Sequence, residues 1–248
     1  MDTRDPTPRQ LAQAIDHTLL DPAARPEALE RLCREALQHG FKAVCVYPGQ
    51  IALVVRHLAG SAVLPVAVVG FPSGLESTAE KVREALDALH AGGRELDMVI
   101  NPLALQARDH RAVFQDIGAV VAAAAPFPVK VILETAALDD GQKLAGCVLA
   151  KAAGAAFVKT STGFGPGGAT ARDVALLREA VGPEMGVKAS GGIRTLEQAL
   201  TMLRAGADRL GSSSSVAIVS AAGAPGAPDG CGGGCGGGCD AGCAGDAY

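Results

Sequence analysis

Tryptophan is absent from the 248 residues, and aromatic side chains make up only 3% of them. There is little surface on which nucleic-acid bases could stack, and a formal charge of −4, from 22 basic and 26 acidic residues, disfavours a general polyanion-binding face. Long apolar runs are also missing. The longest candidate, Ala119 to Ala125, ends at Pro126, far short of the roughly 20 residues that cross a bilayer. The opening M-D-T-R-D-P-T-P-R has no hydrophobic stretch and no cleavage-like pattern, so a cytoplasmic protein with neither membrane nor nucleic-acid partners is expected. Two nucleotide-binding signatures are lacking as well: no G-x-G-x-x-G follows the first strand, and no G-x-x-x-x-G-K-[ST] occurs.

What remains is 48% hydrophobic, and Ala, Val and Leu must build the core. Apolar, β-prone runs alternate with helical spacing. After a short helix-like stretch from Gln10 to Ile15, strands are expected around Ile15 and over Phe41–Tyr47, Pro65–Gly70, Glu95–Ile100, Val129–Leu133, Ala155–Thr160, Met185–Ala189 and Asp208–Leu210. Helical patterns lie between most of them, as over Thr78–His90, Asp140–Ala153 and Ala171–Ala180, and Thr195 is placed to cap another. Eight strand–helix units in this length predict an α/β protein of the (β/α)₈ barrel type over residues 1–222. Residues 223–248, mostly glycine, alanine, proline and cysteine, are expected to form a flexible tail.

Strand side chains alternate with a period of two. In E-L-D-M-V-I, Leu96, Met98 and Ile100 form an apolar face, which leaves Asp97 for the barrel interior. The same reasoning turns Lys130 and Glu134 inward from V-K-V-I-L-E, Lys159 from A-F-V-K-T and Lys188 from V-K-A-S. A lysine costs several kcal/mol to bury without compensation, so such a cluster calls for a chemical reason. Lys159 and Lys188 lie on consecutive strands, about 4.8 Å apart in a sheet. A second ammonium and partial desolvation both favour a neutral amine, and a neutral amine attacks carbonyls to form a Schiff base. Asp97, with Asp16 near the first strand, offers carboxylates for proton transfer. The pairing does not say which lysine is the nucleophile.

A second line concerns phosphate. Gly191-Gly192 follows the seventh strand and Gly211-Ser212-Ser213 the eighth, the two positions at which barrels commonly hold phosphate. Arg194 is placed either to add charge there or to cap a surface helix.

These residues carry a likeness. I-D-H-T-L-L (Ile15–Leu20), V-C-V-Y-P (Val44–Pro48), L-D-M-V-I-N (Leu96–Asn101), V-K-V-I-L-E-T (Val129–Thr135), V-K-T-S-T-G-F (Val158–Phe164) and K-A-S-G-G-I-R (Lys188–Arg194) occur in this order. The chain resembles the deoxyribose-phosphate aldolases over roughly Gln10 to Ser220. That resemblance implies a class I aldolase cleaving 2-deoxy-D-ribose 5-phosphate to D-glyceraldehyde 3-phosphate and acetaldehyde, with no metal or organic cofactor. It implies Lys159 as the Schiff-base lysine, Lys188 as the neighbour that favours its neutral form, and Asp97 as partner in proton transfer. Asp16 would support the relay and contact substrate. Thr18, Gly163, Gly191, Gly192, Arg194, Gly211, Ser212 and Ser213 would bind substrate and its phosphate, and a homodimer is the expected assembly. Other Schiff-base phosphosugar enzymes, or a non-catalytic phosphosugar binder, are the alternatives.

The chain departs from the family pattern in P-L-A-L-Q-A-R (Pro102–Arg108), which lacks an expected glycine and lysine, and in the run G-S-S-S-S at Gly211–Ser215. Cys45 lies beside the expected site, where inert packing is the simpler role for a lone strand cysteine. Cys231, Cys235, Cys239 and Cys243 match zinc in number but not in the usual paired C-x₂-C spacing, and are expected to sit in a disordered tail without metal. Tyr248 resembles a terminal tyrosine that, in some relatives, reaches back to the active site.

Overall fold

The computed structural model describes residues 5–223. The expected tail, including Tyr248 and the cysteines at 231, 235, 239 and 243, lies outside the described residues apart from Gly223.

Eight parallel strands close into a barrel in sequential order. They are β1 (Ile15–Thr18), β2 (Ala43–Val46), β3 (Leu64–Val69), β4 (Glu95–Val99), β5 (Val129–Ile132), β6 (Phe157–Lys159), β7 (Gly186–Ser190) and β8 (Arg209–Ser212). Around them run α1 (Pro8–Ala12), α2 (Pro26–His39), α3 (Ile51–His57), α4 (Thr78–His90), α5 (Pro102–Gln106), α6 (His110–Ala124), α7 (Asp140–Ala152), α8 (Ala171–Val181), α9 (Leu196–Arg204) and α10 (Ser215–Ala222).

Local chemistry explains many of these boundaries. Pro26 opens α2 and Gly40, in the left-handed region at φ 66°, closes it. Reciprocal caps start α4 (Ser77 with Glu80), α7 (Asp139 with Gln142) and α9 (Thr195 with Gln198), each pair satisfying amides the helix leaves free. After Asn101, where the chain departs from the family pattern, comes the short helix α5, with the Asn101 side chain accepting from the Ala104 amide and Pro102 in the first turn. The glycine-serine run Gly211–Ser215 is divided between two elements: Gly211 and Ser212 extend β8, and Ser215 begins α10.

The main core lies between strands and helices, where Leu96, Met98, Val131, Val158 and Val187 are fully buried. A smaller apolar cluster of Ala43, Cys45, Val66, Val68, Phe71, Val99 and Ile132 fills one side of the barrel interior. Charged side chains occupy the other. The register sets Asp97 beside Lys130, Lys159 beside Lys188, and Lys188 beside Arg209. Among the described residues no helix is long and apolar enough to cross a membrane.

Candidate active site

Alternation along β4 to β7 brings Asp97, Lys130, Lys159 and Lys188 into one buried network, to which β1 adds Asp16. Asp97 is its centre. One carboxylate oxygen, Oδ2, accepts from Lys159 Nζ at 2.8 Å and from Lys188 Nζ at 2.6 Å. The other, Oδ1, accepts from Lys130 at 2.9 Å. Lys188 also donates to Asp16 Oδ2 at 2.5 Å. The two lysine nitrogens thus share one environment.

Two members went unrecognised in the sequence. Arg209 donates to both Asp16 and Glu95, and Glu95 pairs with Lys130 at 2.6 Å. The alternation that singled out Asp97 also turns Glu95 inward, two residues earlier, and Arg209 precedes the outward-facing Leu210 in the same way. Gly211 has a steric role besides its place in the loop. A Cβ there would stand 3.0 Å from Ser190 Cβ and 3.2 Å from Lys188 Cε, so its bare backbone gives the lysine room to cross the barrel.

Burial alone would push the Asp16 carboxyl up, but Lys188, Arg209 and Lys130 outweigh it and hold the group at about 2. Asp97 behaves alike: burial opposes its charge, and Lys130, Lys159 and Lys188 hold it well below the ordinary range. Burial favours a neutral Lys188, yet Asp16 and Asp97 keep it an ammonium beyond the usual lysine range. Because the carboxyls are depressed in the folded state, their stabilisation is complete above the unfolded value near 3.8 and disappears as the pH falls through the folded one. The urea midpoint should therefore stay level from neutral pH to about pH 5 and drop steeply below about pH 4. A midpoint unchanged at pH 3 would contradict this network.

Above the network opens a cavity of about 310 Å³. Lys159 lines it and Lys188 does not. Thr18, Gly163, Gly191, Gly192, Arg194, Gly211, Ser212 and Ser213 all line it, joined by Leu20, Thr162, Phe164 and Ser190. Gly191 and Gly192 take left-handed φ values of 88° and 77°, conformations costly for residues with a Cβ. Ser212 differs from expectation. Its hydroxyl donates to the Ile193 carbonyl at 2.7 Å and accepts from the Ser214 amide at 2.9 Å, so it fastens two rim loops together rather than standing free as a donor. Asp16 is fully buried beneath the cavity and does not line it.

Lys130 belongs to the network and is fully buried, away from the cavity lining. Cys45 is also fully buried, and burial pushes its thiol up to about 11, with Asp97 adding to the shift. That removes the thiolate a reactive cysteine needs at neutral pH. Glu134, expected beside Lys130 on the inner face, lies beyond the end of β5. Its backbone is left-handed at φ 60°, and its carboxylate is directed to the β6–α8 loop instead.

Comparison with known proteins agrees with this geometry. Residues 10–224 match the family model described as DeoC/LacD family aldolase. A deoxyribose-phosphate aldolase of Thermococcus kodakarensis is 52% identical over 225 residues, covering 89% of this chain and 98% of the relative. One from Thermotoga maritima is 52% identical over 206 residues, or 83% of each chain. The structure of the deoxyribose phosphate aldolase from Aeropyrum pernix, described as tetrameric, superposes with a TM-score of 0.82 at 36% identity, covering 88% of this chain and 93% of that one. With a closed barrel, a buried lysine pair on one carboxylate and a family match spanning nearly all the described residues, this chain belongs to the DeoC/LacD family of aldolases.

Proposed function

We propose that the chain reversibly cleaves 2-deoxy-D-ribose 5-phosphate to D-glyceraldehyde 3-phosphate and acetaldehyde, in the cytoplasm, through a Schiff base on Lys159. The observation that carries this reading is the shared oxygen of Asp97, which joins two lysines of which only Lys159 reaches the cavity. Curated relatives of that name at about half identity support the choice of substrate.

The charge balance supports Lys159 as nucleophile. The network joins four basic groups, Lys130, Lys159, Lys188 and Arg209, to three carboxylates, Asp16, Glu95 and Asp97. Fully protonated, it holds one positive charge too many for a buried site. Lys188, with two carboxylates, keeps its proton. Lys159, with one carboxylate and access to the cavity, is the amine placed to meet a carbonyl.

The neutral Lys159 amine attacks C1 of the open-chain sugar, and loss of water gives the imine. Removal of the C3 hydroxyl proton turns C3 into the carbonyl of glyceraldehyde 3-phosphate as the C2–C3 bond breaks. The bonding electrons move into the imine and leave an enamine. Lys188, Asp97 and a water serve the proton transfers, with Asp16 fixing Lys188. Protonation of the enamine carbon and hydrolysis release acetaldehyde. The glycine-rich loops and Arg194 receive the phosphate, aided by the amino end of α10.

Incubation with deoxyribose 5-phosphate or acetaldehyde followed by borohydride should add mass to the peptide carrying Lys159. Absence of that adduct, or cleavage of fructose 6-phosphate in preference, would overturn the reading. We further propose that the chain is a homodimer. Leu103, Phe114, Leu144 and Val148 are exposed apolar side chains on the neighbouring helices α5, α6 and α7, a grouping suited to a partner. Light scattering should give twice the chain mass, and Val148→Glu should shift it toward the monomer.

A further inference from the structure

Glu134 is one of two non-glycine residues with positive φ among the described residues. Glutamate gains nothing intrinsic from the left-handed region, so its side chain must be wanted where this backbone sends it. It points under the loop between β6 and α8. One oxygen, Oε2, accepts from both the Thr162 amide, at 3.1 Å, and the Thr162 hydroxyl. The Thr162 hydroxyl in turn accepts from the Phe164 amide at 3.0 Å. A Cβ on Gly165 would collide with the Glu134 carboxyl, so the loop lies directly on it. The remaining oxygen, Oε1, is buried with no hydrogen-bond partner, and no basic side chain pairs with the group among the described residues.

Thr162, Gly163 and Phe164 form the cavity wall facing Gly191 and Gly192. Glu134 takes the Thr162 amide and the Thr162 hydroxyl takes the Phe164 amide, which leaves the Gly163 amide, at φ 89°, unclaimed by either. A carboxylate beneath an anion-receiving loop is electrostatically unhelpful, so its value must lie in reach and geometry.

We infer that Glu134 is a positioning residue that holds the Thr162–Gly165 loop so that the Gly163 amide faces the substrate phosphate. This inference rests on the proposed aldolase reading. It separates reach from charge in a testable way. Glu134→Asp keeps the charge and tolerates the left-handed backbone, but is one methylene too short to meet Thr162. Glu134→Gln loses the charge and keeps an oxygen able to accept both Thr162 bonds.

The experiment compares cleavage of 2-deoxyribose 5-phosphate with that of unphosphorylated 2-deoxyribose, together with inhibition of the latter by inorganic phosphate. Glu134→Asp should raise KM for the phosphorylated sugar and weaken phosphate inhibition, each about tenfold, as for loss of one well-placed hydrogen bond to a charged group. Its kcat on the unphosphorylated sugar should stay within about twofold of the parent, and Glu134→Gln should resemble the parent throughout. Equal losses on both sugars, an unchanged KM in Glu134→Asp, or a larger defect in Glu134→Gln would overturn the inference. Borohydride trapping of acetaldehyde is run on all three proteins. Failure of the parent to trap refutes the aldolase reading itself, whereas trapping in the parent with no KM split refutes only the role of Glu134.

Discussion

Lys159→Ala should form no borohydride-stable adduct and should lose turnover on the order of 10⁵-fold, the scale seen when a covalent nucleophile is removed. The loss should come without unfolding. Lys159 makes one carboxylate contact, and Asp97 retains Lys130 and Lys188 when it is gone. The variant also leaves three cations facing three carboxylates, a better match for a buried site than the parent has when fully protonated. The melting temperature should therefore remain within a few degrees of the parent or rise. An adduct that persists on another lysine would reassign the nucleophile, and a variant that fails to fold would show that the charge balance has been misread.

Lys188→Leu should act differently. It removes the ammonium held between Asp16 and Asp97, the proposed proton carrier, and should lower kcat at neutral pH by about 10³-fold, within the range of general acid–base catalysis. With Lys188 gone, Asp97 keeps its contacts with Lys130 and Lys159, and Asp16 keeps Arg209. The fold should weaken, because removing one partner from a buried ion pair costs about 3–5 kcal/mol, here moderated by Arg209 on Asp16 and Lys130 on Asp97. Steady-state kinetics at pH 7 and a urea titration measure both effects. Near-normal turnover at pH 7 would refute the role assigned to Lys188.

The residues with the clearest sequence signals were those on strands. Period-two alternation needs only an apolar neighbour to fix the facing, so Asp97, Lys130, Lys159 and Lys188 could be assigned to one interior from β4 to β7. Glu95 and Arg209 obey the same rule, yet they stand at the first residues of their strands, where the limits of the pattern are hardest to see. Glu134 shows where the rule stops applying. The alternation continued past Ile132 on paper, but the chain turns there, and a left-handed residue sends its side chain elsewhere.

Helices were harder where they were short or oddly composed. α5 has five residues, too few for a period to repeat, although Asn101-Pro102 was a readable start signal. α10 begins in a serine run that reads as a turn and continues through V-A-I-V, which is β-prone. Packing against α1 and α9 decides its form. Strand alternation could not separate Lys159 from Lys188; in the sequence only the family motifs did so, and which of the two meets the cavity is a property of several strands and loops together.

The reciprocal caps at the starts of α4, α7 and α9 lie where three rim loops hand over to the outer helices. Each such loop is thereby pinned at its downstream end by its own side chains, and at its upstream end by a strand of the barrel wall. Mutational drift or grafting between those anchors can remodel what the mouth admits while the scaffold beneath keeps its shape. For an enzyme engineer, the rim is a set of separable cassettes mounted on a fixed chemical floor.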